Sequence, residues 1–331
     1  MSKLPEKISL ANLPTRIYKL ENLSSKLKKN IYIKRDDETG IELSGNKVRK
    51  LEFSIAEAKK QGAKVLITCG GIQSNHARAT AVAAVKLGMK SVLLLRKPEN
   101  NLIEGNHLLD LIVGSDVRFV TREEYSEKRF EIMEEIKAEF DQKGETAYII
   151  PEGASNGIGL FGYINAIDEI QTQEKMLGIK FDTVVSCVGS SGTYGGLVAG
   201  NKLFDTNYNV IGINICDTAE YFKKRALGYI KESFMYLEET DIKKINITED
   251  DLNIIDGYTG PGYALNEADD FEFINEFARL EGIFLDPVYT GKTLKGLVSE
   301  IKKGHISGEN ILFIHTGGLY GLFPKAHEMN F

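Results

Sequence analysis

The chain predicts an α/β protein in which parallel sheets carry helices on both faces. Short apolar, β-branched runs alternate with longer amphipathic stretches for most of the length, the pattern of strands joined by crossover helices. Gly88, Gly114, Gly144, Gly178 and Gly304 each close a helical pattern, as helix stops do. With 331 residues, the length prior gives about two domains at roughly 150 residues each.

In order, residues 65–69, 91–95, 117–120 and 147–150 read as strands, with helices at 77–87, 102–113 and 123–142 between them. In the last of these Phe130, Met133, Ile136 and Phe140 recur at three- and four-residue steps, an apolar helix face. A second series follows: helix 159–176, strand 183–188, helix 193–203 and strand 210–215. Helix 267–280, strand 283–285, helix 292–302 and strand 311–315 complete it. Residues 221–256, with charged runs at 238–241 and 248–251, read as a helix plus a surface excursion. There is no proline-rich linker, low-complexity tract or internal repeat.

Lys plus Arg is 41 and Asp plus Glu is 47, a formal charge of −6. A mildly acidic chain argues against a nucleic-acid partner, which would call for a basic stripe. Cys69, Cys187 and Cys216 stand alone, with no Cys-x-x-Cys spacing; Cys69 and Cys187 end apolar runs and read as buried free thiols. The opening residues lack a signal-peptide pattern and no stretch has the ~20 apolar residues of a membrane span, so a cytoplasmic protein without a membrane partner is expected.

Ligands of parallel sheets bind at the carboxyl ends of strands, and the loops there, together with one turn that opens a helix, can carry chemistry. Ser-Gly-Asn-Lys-Val-Arg-Lys (44–50) sets Lys47 between a Gly-Asn turn and a helix start. A lysine that loses its proton can condense with an aldehyde, which points to pyridoxal phosphate; an ordinary surface lysine is the alternative. The loop 70–76, containing Gln73, Ser74, Asn75 and His76, offers donors to an anion at a helix start, although a simple capped turn looks the same. Gly189, Ser190, Ser191, Gly192 and Thr193 form a credible phosphate cradle. Residues 286–292 bring Tyr289 and Thr290, while the turn at 260–263 brings Tyr263; either tyrosine could face a flat cofactor or belong to the core. His76 and His315 fit no metal-ligand spacing and read as structural, and no metal is expected.

Together the strings SGNKVRKLEF (44–53), GGIQSNHARATA (70–81), PEGASNGIGLFGY (151–163) and DPVYTGK (286–292) resemble the fold type II (tryptophan synthase β-like) pyridoxal-phosphate enzymes. More narrowly, the chain resembles the branch holding D-cysteine desulfhydrase and 1-aminocyclopropane-1-carboxylate (ACC) deaminase. The resemblance implies that Lys47 carries the cofactor, Asn75 bonds its ring hydroxyl oxygen, and Gly189 through Thr193 bind its phosphate. It implies that Ser74, with Asn75 and Gln73, meets the substrate carboxylate, and that Tyr263 and Tyr289 flank the ring and the departing group. A large domain from residues 1–53 and 165–331, a smaller mobile one from 54–164, and a homodimer are likewise implied. ACC deaminases carry a glutamate after the tyrosine of DPVY; here Thr290 stands there, with Thr316 where the last strand reaches the ring, as in D-cysteine desulfhydrases. A hydroxyl stabilises a pyridinium less than a carboxylate does, which favours prompt loss of a good leaving group. The expected reaction is elimination of D-cysteine to pyruvate, sulfide and ammonia. ACC deaminase and lyases for D-serine, β-chloro-D-alanine or cysteate stay open, as does D against L. Outside the class stand a cofactor-free amino-acid or nucleotide sensor and, more weakly, a nicotinamide dehydrogenase, which lacks its G-x-G-x-x-G here.

Overall fold

Two sheets, not one, organise the chain in the computed structural model, which describes residues 3–98 and 102–331. The first part runs β1 (Ile17–Lys19), α1 (Glu21–Leu27), β2 (Asn30–Lys34) and α2 (Lys47–Lys60). Next come β3 (Val65–Gly70), α3 (Asn75–Lys86), β4 (Lys90–Arg96), α4 (Gly105–Ile112), β5 (Asp116–Val120), α5 (Arg122–Asp141) and β6 (Ala147–Ile149). Then follow α6 (Phe161–Leu177), β7 (Thr183–Val188), α7 (Gly192–Leu203), β8 (Asn209–Asn214), α8 (Ala219–Ser233), α9 (Glu239–Lys244) and β9 (Asn253–Ile255). The last elements are α10 (Ala268–Glu281), α11 (Thr290–Lys302) and β10 (Asn310–Ile314).

The four-stranded sheet has the order β5-β4-β3-β6 and is parallel throughout. The six-stranded sheet has the order β1-β2-β10-β7-β8-β9, so strands from both chain ends meet at its middle. It is parallel except for β1, which pairs antiparallel with β2 at one edge. The central strands β3, β7 and β10 are apolar runs buried along nearly their whole length, as strands covered on both faces must be. Helix α2 joins the halves: Leu51, Ile55 and Ala58 pack with the four-stranded side, while Phe53 packs on Phe161 of α6. The expected boundaries at 53/54 and 164/165 both fall inside helices, α2 and α6.

Most expected elements are present within two or three residues of their predicted ends, and the five helix-stop glycines all adopt positive φ. Four readings change. Residues 283–285 form no ladder; Ile283 and Leu285 are buried and Phe284 exposed, so the alternation is real, but the segment packs as extended chain against the core without joining the sheet. The excursion at 221–256 ends in an edge strand, β9, and β1 and β2 were not recognised as strands. On α5, Met133 and Ile136 are buried, yet Phe130 is 52% exposed, so the apolar stripe is one residue narrower than its spacing suggests.

Candidate active site

The carboxyl ends of β3, β6 and β7 converge with the start of α2 on one cleft, which encloses ≈ 600 Å³ counting the part open to solvent. Lys47, Ser74, Asn75, Gly189, Ser190, Ser191, Thr193, Tyr263 and Tyr289 line it. Thus most of the residues singled out in the sequence are brought together from five separate chain segments.

Lys47 is the first residue of α2, and its amine donates to Asn46 Oδ1 at 3.2 Å and lies 5.7 Å from the Tyr289 ring centroid. Burial lowers its pKa from the ordinary lysine value, against the pull of Cys187, Asp286 and Glu152 toward the charged form. No carboxylate pairs with it among the described residues. An amine in that setting is readily deprotonated, the state a nucleophilic or basic lysine needs. The first turn of α2 also holds Arg49 and Lys50 but no acid, the reverse of what the positive end of a helix dipole favours.

Lys50 is fully buried, and among the described residues its amine donates only to Ser155 Oγ, at 3.1 Å. Burial, then the nearby Lys47 charge, push its pKa well below the ordinary value. Ser155 Oγ in turn lies 2.9 Å from Ser190 Oγ, which places Lys50 beside the loop 189–193. That loop opens α7, whose N-cap Ser191 supplies no side-chain cap, so the helix start keeps N–H groups for another acceptor. Ser191 sits at φ +66° and its hydroxyl donates to Phe222 O; its contribution is therefore backbone, not hydroxyl. Thr193 Oγ1 accepts from Asn46 Nδ2 at 2.9 Å and keeps its own hydrogen to donate. Gly192 is required by space, since a Cβ there would stand 2.4 Å from Ser155 Oγ and 3.0 Å from Lys50 Nζ.

Ser74 caps α3 by accepting from Ala77 N at 3.1 Å, and its hydroxyl hydrogen stays available. Gln73 is committed elsewhere: Oε1 accepts from Asn106 N and Nε2 donates to Glu104 O, so its side-chain amide serves the start of α4. The hydroxyls of Tyr263 and Tyr289 bond each other, with ring centroids 6.1 Å apart. Burial pushes Tyr263 up to about 12 and Tyr289 well above the ordinary value, so both are neutral phenols.

Thr290 and Thr316 lie behind the cleft rather than on its lining. Thr290 Oγ1 donates to Asp286 Oδ1 and accepts from Asp286 N, while Thr316 Oγ1 lies 3.4 Å from Cys187 Sγ. All four donors on Asp286 come from residues 288–290, so its carboxylate is spent on holding that turn. His315 donates Nε2–H to Phe284 O and accepts from Gly317 N, a structural part. His76 contacts Thr68 through Nε2 but lines the cleft, and its buried Nδ1 has no hydrogen-bond partner among the described residues. Cys187, expected as a plain buried thiol, also lines the cleft, as does Glu152. Lys50, Ser155 and Glu152 were missed individually although they lie within the conspicuous strings; the three-residue step from Lys47 to Lys50 was the available signal. Among the described residues no group of three His, Cys, Asp or Glu could hold a metal, and no helix is long and apolar enough to cross a membrane.

Residues 8–317 match the family model described as "Pyridoxal-phosphate dependent enzyme". The chain belongs to this family. As a pyridoxal-phosphate enzyme of fold type II, it is 43% identical over 324 residues to a putative 1-aminocyclopropane-1-carboxylate deaminase of Thermotoga maritima, covering 98% of this chain and 99% of that one. It is 40% identical to the mitochondrial bifunctional D-cysteine desulfhydrase/1-aminocyclopropane-1-carboxylate deaminase of Arabidopsis thaliana, covering 97% of this chain and 80% of the relative. A crystal structure described as an ACC deaminase homologue superposes with a TM-score of 0.87 at 36% identity, covering 98% of this chain and 95% of that one.

Pyridoxal phosphate is the cofactor of this family, and the residues here fit it. A buried ammonium with no counter-ion is costly; a phosphate between Lys50 and the open start of α7 supplies the missing negative charge. The aldehyde finds an amine of lowered basicity in Lys47 on the same helix end.

Proposed function

We propose that this pyridoxal-phosphate enzyme eliminates sulfide from D-cysteine, giving pyruvate, hydrogen sulfide and ammonia. Lys47 would carry the cofactor. Lys50, Ser190, Thr193 and the backbone of Gly189, Ser191 and Gly192 would hold its phosphate, and Asn75 its ring oxygen. Bound pyridoxal phosphate supplies an electron sink for the pair left at Cα when its proton departs.

The chain's own groups do the rest. Lys47, freed by the substrate amine, takes the Cα proton; its low basicity and lack of an ion-pair partner support that role. Ser74 and Asn75 orient the substrate carboxylate, Ser74 with the hydrogen its capping bond leaves free. The hydrogen-bonded phenols of Tyr289 and Tyr263 stay protonated and can donate to the departing sulfur. Residues 54–164 act as a smaller mobile domain that closes over the substrate and excludes water, and the active form is a cytoplasmic homodimer.

The observation that carries the choice of D-cysteine is the neutral hydroxyl at Thr290, with the nearby Asp286 carboxylate already bonded to four donors. A ring without an acidic partner is a weaker electron sink, enough for a thiolate leaving group and less suited to opening a cyclopropane. ACC deamination is the second reading, favoured by the activities for which the relatives are named. The test is parallel assay of D-cysteine, L-cysteine and ACC, with sulfide and keto acid measured. Sulfide from D-cysteine at a kcat/KM at least tenfold above the other two is expected; faster turnover of ACC would replace this reading by the second.

A further inference from the structure

The amide of Asn75 has one end that accepts and one that donates, and what faces the cleft depends on which end is engaged behind it. That question has a definite answer, because the residues behind Asn75 form a chain of one-way hydrogen bonds ending on an arginine. Arg78, 1% exposed, has donors only. Its terminal nitrogens are anchored on Glu42 O and Ser44 O, and its Nε donates to Asn106 Oδ1 at 2.7 Å. Asn106, fully buried in the first turn of α4, therefore presents its carbonyl to Arg78 and must turn its NH₂ the other way. That NH₂ donates to Asn75 Oδ1 and to Gln73 O, both at 3.0 Å. With Oδ1 occupied, the part of the Asn75 amide left for the cleft is the Nδ2 donor.

We propose that Asn106, oriented by Arg78, is a positioning residue that fixes the Asn75 amide with its NH₂ toward the cofactor, so that Asn75 donates to the ring oxygen and holds it as an anion. The proposal rests on the role given above to Asn75. It also assigns a purpose to the docking of α4 against the loop 70–76: Asn106 N bonds Gln73 Oε1 and its side chain bonds Gln73 O, so one residue holds both the loop and its polarity.

Asn106→Asp tests it with a side chain of the same shape. The carboxylate still accepts from Arg78 but cannot donate to Asn75, whose NH₂ then turns back to it and whose carbonyl faces the ring oxygen. The visible absorbance of the purified holoenzyme is titrated with pH, and cofactor affinity is measured on the same protein. The apparent pKa of the visible band is expected to rise by about one unit and the cofactor Kd by about tenfold, equivalent to ~1.4 kcal/mol. A residue that merely packs α4 would lower Tm and leave the titration in place, and that result overturns the proposal. Asn75→Ala is titrated alongside. If it shifts the band and Asn106→Asp does not, the relay is wrong while the Asn75 role stands; if Asn75→Ala shifts nothing, the Asn75 role itself fails and the relay with it. Should Asn106→Asp not fold, Asn106→Ala, which removes the donor without adding charge, is read the same way with a smaller expected shift.

Discussion

Helix α2 points buried cations in two directions, and they are treated in opposite ways. Arg49 is bidentate on Asp36 and also reaches both oxygens of Glu169 and Thr15 Oγ1, all at 2.8–3.0 Å. Lys34 shares Glu169 and adds Gln173, and Tyr163 donates to Asp36. Every charge in that cluster has a partner within the chain. On the other side of the helix, Lys47 and Lys50 have, among the described residues, only an amide oxygen and a hydroxyl. Since burying a charge is tolerable only when it is paired, the first cluster reads as scaffold and the second as a site completed by a ligand. Asp110 on α4 is a third case, an acid whose two buried oxygens have no hydrogen-bond partner among the described residues, pushed up to about 8 by burial against the pull of Arg78.

The sharpest break of this comparison is at Lys47. Lys47→Ala should lose the visible cofactor band and at least about 10³-fold in kcat, measured by absorbance and steady-state assay; retained turnover would remove Lys47 from the site. Arg49→Met should do the reverse, costing ~3–5 kcal/mol in urea unfolding by stranding Asp36 and Glu169, while the band of the protein that still folds is kept.

Lys50→Met separates the two kinds of cation most directly. With its pKa lowered by burial, the folded cofactor-free protein binds fewer protons than the unfolded chain, so stability rises as pH approaches the free-lysine value of 10.5. Removing the amine should therefore leave the apo protein as stable or more so at neutral pH, flatten that rise, and weaken cofactor binding about 10²-fold by titration. A destabilised apo protein would mean that Lys50 is scaffold after all.

The smallest effect is expected at Asp110. A carboxyl raised to about 8 from 3.8 makes the folded state bind the extra proton between those values, so its stability falls as pH rises through them. Asp110→Asn should raise Tm by roughly 3 °C more at pH 8 than at pH 5 in scanning calorimetry. Equal shifts at both pH values would show the group to be ionised throughout.

Much of this was legible in the chain because it is local. A positive-φ glycine can end a helix by itself, and a run such as residues 183–188 reads as a strand in any α/β setting. Lys47 and the loops 70–76 and 189–193 suggested an aldehyde-and-phosphate chemistry that the family resemblance of the four strings singled out from a surface lysine and capped turns. What the tertiary structure decided depends on partners far apart in sequence. Residues 283–285 alternate like a strand but have no ladder to join, whereas β9 is a three-residue run that becomes a strand because the edge of β8 is there to receive it. Thr290 belongs to a conspicuous string, yet its hydroxyl is taken by Asp286. Gln73 looks like a substrate ligand and is engaged by Asn106, 33 residues away. The sequence by itself determined which groups were present and near which turns. Only the packing decided which of them already had partners, because a hydrogen-bond donor or a charge is available for chemistry only when the fold leaves it unpaired.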